Sequence, residues 1–396
     1  MRKFFTNKAV NRIYVHTTLF NFAERIGWIF GPIFLIKSGY SVSHVLTLWA
    51  TLFMIRLPAR YIFLKILPWL GLVRAAVMGL GFYVVALCML PNLRDDPIWF
   101  APFFLFYSLG MTFYWTAYHT IFGMVGDKAD RGKQVAMLAT LSLLLMAFEP
   151  YASALLIHFV SYDALFLVSA VLMALAAIPL MGIKVATPNL QGKPSQELKD
   201  ACKWVSWYHA FCSFKEYGHP FLWRLIVFFM LPDILKFGFA MTAGLLLLAG
   251  IQLFIGDAVD KGRGYFLMKI GTAIVMVQIF VRGLFITTPM GIALTEGLSV
   301  GQKLMTQVEA NFYNRGKDAE NYFYYMYWAE MAWDMGAMTT LLVMAGMAYA
   351  GFALTTIMMT IAPFGLIGFY IVNAQLDESK SRRHKAVPIP PIENSI

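Results

Sequence analysis

Charged residues are scarce in this 396-residue chain, at 14% of the whole. A soluble domain carries roughly 25% and uses that charge to cover its surface. Lipid-facing surface needs none, so the deficit, beside 59% hydrophobic residues, points to a bilayer. Cysteine is scarcer still: Cys88, Cys202 and Cys212 fit neither a metal-ligand spacing nor a disulfide framework. The histidines form no His-Glu-x-x-His pair, and no Gly-x-Ser-x-Gly elbow occurs. The run from Gly126 to Lys133 misses phosphate-loop spacing by one residue, and Gln134 stands where Ser or Thr is needed. These gaps speak against an enzyme, a metal site and a cofactor. The net charge of +10 fits nucleic acid in principle. The basic residues fall between apolar runs, however, so membrane topology accounts for them and no nucleic-acid partner is expected.

Apolar runs of about 20 residues, enough to cross hydrocarbon, are expected at 14–36, 43–65, 71–90, 98–122, 134–157, 163–183, 219–237, 240–257, 266–287, 290–312, 322–346 and 352–373. This predicts an all-α polytopic membrane protein with twelve transmembrane helices. Pro232, Asp233 and Lys236 interrupt the seventh run. With both termini cytoplasmic, most Lys and Arg fall on the inner side, and only Lys37, Arg94 and Lys236 lie in outer connections. A bacterial inner membrane is the expected location. The basic N-terminus resembles a signal peptide, but the run after it carries Glu24 and Arg25 and lacks a cleavage site, so it reads as a retained helix.

The expected organisation is a six-helix bundle over 1–184, a cytoplasmic linker over 185–218, a second six-helix bundle over 219–373, and a basic cytoplasmic tail over 374–396. Within the linker, Leu198, Cys202, Val205, Tyr208 and Cys212 recur at helical spacing after Ser195, a suitable cap. That stripe predicts an amphipathic helix, either lying on the inner membrane surface or packed on the protein.

Two passages share an order of features. Tyr114 to Gln134 and Gln307 to Glu320 each run from an aromatic helix end into a turn rich in Gly, Lys and Asp. Between the eighth and ninth runs stands Gly256-Asp257-Ala258-Val259-Asp260-Lys261-Gly262-Arg263. It is similar to the loop motif of the major facilitator superfamily, short of one residue between the basic position and the second Gly. Its counterpart in the first half keeps Gly71 and Arg74 but no preceding acid. Phe148-Glu149-Pro150-Tyr151-Ala152-Ser153-Ala154 resembles the superfamily's Gly-Pro signature, with Glu149 in place of a glycine. The resemblance implies two pseudo-repeat bundles and a secondary transporter working by alternating access. It also implies gating roles for Gly71, Arg74, Asp127, Arg131, Gly256, Asp260, Lys261 and Arg263.

Ionisable groups at membrane depth cost about 2.5–3.5 kcal/mol on insertion scales and mark functional sites by default. The candidates for substrate or ion coupling are Glu24, Arg25, Arg56, Arg60, His119, Glu149, Arg282, Glu309, Glu330 and Asp334, with Arg224, Asp233 and Glu296 also at depth. Glu149, beside Pro150, is either a proton-exchanging acid or the fixed partner of Arg56, Arg60 or another cation. Glu330 and Asp334 lie four apart on one helix face, as a cation site or a solvated helix end. Trp115, Tyr118 and His119 suit a binding wall or an interfacial belt. The expected partners are a small-molecule or amphiphilic substrate, protons and membrane lipid. The rival expectation is a subunit or assembly factor bound to a membrane-complex partner.

Overall fold

The structure is a computed structural model that describes residues 7–125, 131–188, 190, 195–259, 264–286, 288–305 and 307–386. Among the described residues every regular element is helical. Hydrocarbon offers no partner for a peptide group, so a spanning segment must satisfy its own backbone, and a helix does so. Eight helices are long and apolar enough to cross a membrane, and Leu145–Phe159 adds a shorter apolar stretch.

The first helix, α1 (Lys8–Lys37), starts where the Asn7 side chain accepts from the N–H groups of Ala9 and Val10. Next comes α2 (Val42–Met89), nominally one helix but broken at Gly71, whose φ of 70° and ψ of 165° only glycine takes without strain. The chain reverses there: the Tyr40 hydroxyl donates to the Leu93 carbonyl at 3.2 Å, so the two arms run back to back. They correspond to the runs expected at 43–65 and 71–90.

Three helices complete the first group: α3 (Phe100–Val125), α4 (Arg131–Phe159) and α5 (Tyr162–Met181). The close approach of α2 to α3 depends on Gly79 and Gly110. A Cβ on Gly79 would stand 2.6 Å from the Tyr114 nitrogen, and one on Gly110 3.0 Å from the Tyr83 nitrogen. Small residues of this kind let backbones meet where there is no hydrophobic drive between helices. At one end, Arg94 grips Asp163 with two 2.9 Å hydrogen bonds and ties the connection before α3 to α5.

The second group begins with α6 (Gln196–Glu216), which continues through a π-helical turn at Tyr217–Phe221 into α7 (Leu222–Met230). Of the two placements expected for this stripe, the helix takes the one packed on the protein. Leu198, Cys202, Val205, Tyr208 and Cys212 are all buried. The helix lies along two later helices, with Gly336 against Ala210 and Gly365 against Phe214. The stripe is amphipathic because it faces protein. The expected run at 219–237 is corrected: α7 ends at Met230, and Asp233 accepts from the N–H groups of Leu235 and Lys236 to cap α8 (Ile234–Val259). The Lys236 and then the Leu235 N–H hold that exposed carboxyl below its ordinary range.

Then follow α9 (Gly264–Leu284), three short helices α10 (Pro289–Gly297), α11 (Val300–Met305) and α12 (Gln307–Asp318), α13 (Tyr322–Tyr349) and α14 (Leu354–Ala386). Helices α1–α5 pack together, as do α6–α14, and the two groups face one another chiefly along α2–α13 and α4–α8. At the second seam Gly238 admits the backbone of Pro150 and Tyr151, and the Tyr151 N–H donates to the Thr242 hydroxyl at 3.1 Å.

Candidate functional site

Arg56 and Arg60 lie one helical turn apart on α2, and Glu330 and Asp334 one turn apart on α13. Each pair therefore shares a face, and the two faces meet across the seam between bundles. Arg56 reaches Glu330 at 3.3 Å and Asp334 at 2.8 Å, while Arg60 reaches Asp334 at 2.5 Å and Glu330 at 3.6 Å. All four are buried, with Asp334 fully so. Two cations against two anions leave no net charge, which is what allows ionised groups at this depth. Arg60 also donates to the Thr116 hydroxyl at 2.9 Å. His119 on α3 lies 3.5 Å from Glu330, and its other ring nitrogen is 2.8 Å from the Tyr313 hydroxyl on α12. The cluster thus draws on α2 and α3 from one bundle and α12 and α13 from the other.

This cluster forms part of the wall of a cavity of about 390 Å³, which Arg56, His119 and Glu330 line together with Glu24, Arg25 and a set of aromatic rings. A second cavity of about 280 Å³ adjoins it, and Arg25, Glu216 and Arg224 line both. The first lies in the size range of small-molecule sites. Glu24 and Arg25 are sequence neighbours that do not pair. Among the described residues neither makes an ion pair, and Arg25 Nη1 meets only the Met146 sulfur at 3.9 Å.

The second cavity holds a polar network within the α6–α14 bundle. Glu296 receives Arg282 at 2.5 Å, the Trp223 indole N–H at 3.0 Å and the Ser299 hydroxyl at 3.2 Å. Arg282 also lies 3.1 Å from His219 and stacks over the Trp223 ring at 4.5 Å. Arg282, expected as a site residue, is therefore neutralised locally.

The other expected residues scatter. Glu149 is buried on α4 but lines neither cavity, and the Ser153 hydroxyl donates to it at 3.1 Å. The pairing of Glu149 with Arg56 or Arg60 does not form, because Glu330 and Asp334 occupy both arginines. Gly71 makes the turn in α2, with Arg74 exposed beside it. Arg131, Gly256 and Glu309 stand within helices, but their side-chain surroundings lie outside the described residues, as do Asp127, Asp260, Lys261 and Arg263 altogether. Among the described residues no group of three His, Cys, Asp or Glu side chains is placed to hold a metal. His209, Glu216, His219 and Tyr313 are the residues that sequence reasoning missed. His209 and Glu216 escaped because 185–218 reads as a linker outside the membrane.

Two facing helical bundles with buried polar cavities at their junction make up a fold of the major-facilitator type. Among solved structures that share it is a crystal structure of nucleoside transporter NupG, with a TM-score of 0.63 and 10% sequence identity over 92% of this chain and 99% of that one. The likeness shows the fold. No protein-family model matches the chain, and no curated protein matches it.

Proposed function

We propose that the chain is a secondary transporter that carries a small organic solute by alternating access, with protons as the coupling ion. The observation that supports this best is the Arg56, Arg60, Glu330 and Asp334 cluster, which joins the two bundles at the wall of the larger cavity. Ion pairs within one bundle only hold it together; ion pairs between bundles are broken and remade when the bundles rock about a central site. When α2 and α13 part, the same four charges meet water, so opening does not strand them in hydrocarbon.

Contacts at both ends of the seam suit such a motion. Towards the N-terminus of α1, Phe63 and Phe323 stack at 6.3 Å and the Tyr322 hydroxyl lies 3.5 Å from the His119 carbonyl. Towards the other end, Ser43 donates to the Ala345 carbonyl at 2.9 Å and Phe30 meets Phe237 at 6.0 Å. The N-terminal end carries Arg12, Arg74 and Lys184 and is assigned to the cytoplasm on the positive-inside rule.

Glu24 is an acid placed to exchange protons, because, like Glu216, it faces the larger cavity and has no ion-pair partner among the described residues. The test uses proteoliposomes with an imposed proton gradient and a screen of small organic solutes. At least one solute accumulates above equilibrium; Glu24→Gln stops that accumulation while leaving solute exchange. The same change at Glu149 leaves accumulation in place. No accumulation of any solute by folded protein contradicts the transport reading, and loss of exchange together with accumulation in Glu24→Gln contradicts the coupling role.

A further inference from the structure

We infer that the solute is an organic anion, a flat and largely apolar ring system bearing a carboxylate or phosphate-type group. The inference rests on the transport reading for its setting, and on the two adjoining cavities for its chemistry.

The larger cavity supplies the slot for the ring. Trp115, Tyr208, Phe312 and Trp333 line it, and Tyr208 stacks almost parallel to Phe312 at 5.8 Å. His209 stands among them, 4.7 Å from Phe312 and 6.0 Å from Trp333. It is 8% exposed, and among the described residues neither ring nitrogen has a hydrogen-bond partner. A buried polar ring left unsatisfied is uncommon and calls for an explanation. A polar edge on a ligand ring within this cavity provides one.

The smaller cavity supplies the charge. Arg25, Lys215, Arg224, Arg282 and Lys303 line it, against Glu216 and Glu296. Across both cavities six basic side chains stand against four acidic ones, Glu24 and Glu330 being the other two acids. Two of the basic groups are neutralised in place, Arg282 by Glu296 and Arg56 by Glu330 and Asp334.

Arg25, Arg224 and Glu216 stand where the cavities join, and among the described residues the two arginines have no carboxylate within ion-pairing distance. Arg25 Nε is buried without an acceptor among the described residues. Guanidinium forks match carboxylate and phosphate oxygens two at a time. An anion at the junction satisfies both arginines and balances the cavity. A neutral ring leaves them without acceptors, and a cation adds to the excess.

Calorimetric titration of the detergent-purified full chain tests this with two matched pairs, naphthoate against naphthamide and uridine monophosphate against uridine. Within each pair the ring is constant and only the charged group changes. In at least one pair the anion binds about tenfold more tightly or better, and Arg224→Gln brings it to the level of its neutral partner without altering the latter. Equal affinities in both pairs, tighter binding of the neutral members, or no binding of any probe overturns the inference. The comparison on the unaltered chain stands whether or not the variant folds. Anion-selective binding without uptake into proteoliposomes contradicts the transport reading and leaves this inference intact. Uptake of neutral solutes with no preference for anions does the reverse.

Discussion

Arg56 and Arg60 are long, permanently charged side chains with almost no exposure, and each is within reach of both Glu330 and Asp334. Removing one partner from a buried pair leaves an uncompensated charge, whereas removing both leaves apolar surface. Asp334→Ala is therefore expected to cost about 3–5 kcal/mol in thermal or denaturant unfolding of the purified protein. Arg60→Leu combined with Asp334→Leu should cost much less than the sum of the two single changes. Additive losses would show that the residues do not act as a pair. The four-residue spacing of Glu330 and Asp334 was legible in the sequence, and so was the depth of Arg56 and Arg60. Their pairing was not, because it joins positions 274 residues apart and nothing local specifies it. For Glu149 the sequence offered Arg56, Arg60 or another cation as partner, and the structure gives the two named arginines to other acids.

Apolar runs marked most of the helices, since length and hydropathy are local properties and the bilayer constrains both. The α6–α7 rod is where that signal failed. Its first half carries Lys199, Lys203 and Lys215 with no long apolar run, yet it is buried along one side by α13 and α14. Hydropathy averages over a helix surface and cannot distinguish a stripe that faces headgroups from one that faces protein. Close helix contacts were also invisible, because a glycine at an interface looks like any other. Gly79→Ala is expected to force α2 and α3 apart, since its Cβ meets backbone atoms of α3, and to cost about 1–3 kcal/mol. Gly346→Ala has nothing within 4 Å of the added carbon and should be neutral or mildly stabilising. Equal effects at the two positions in an unfolding assay would contradict the packing argument.

On the scale of the molecule, two bundles meet at two seams, and the charged seam borders the larger central cavity. The account holds that this seam is a releasable latch, so that parting α2 from α13 at one face accompanies their approach at the other. Pulsed electron-resonance distances between spin labels test this without knowledge of the solute. One label pair at exposed Arg74 and Glu320 reports on the N-terminal face, and another at exposed His44 and Tyr349 on the opposite face. In Arg60→Gln the account predicts a new, longer distance at one face matched by a shorter one at the other, with populations that change together. Distances unchanged from the parent chain at both faces, in folded protein, would contradict it.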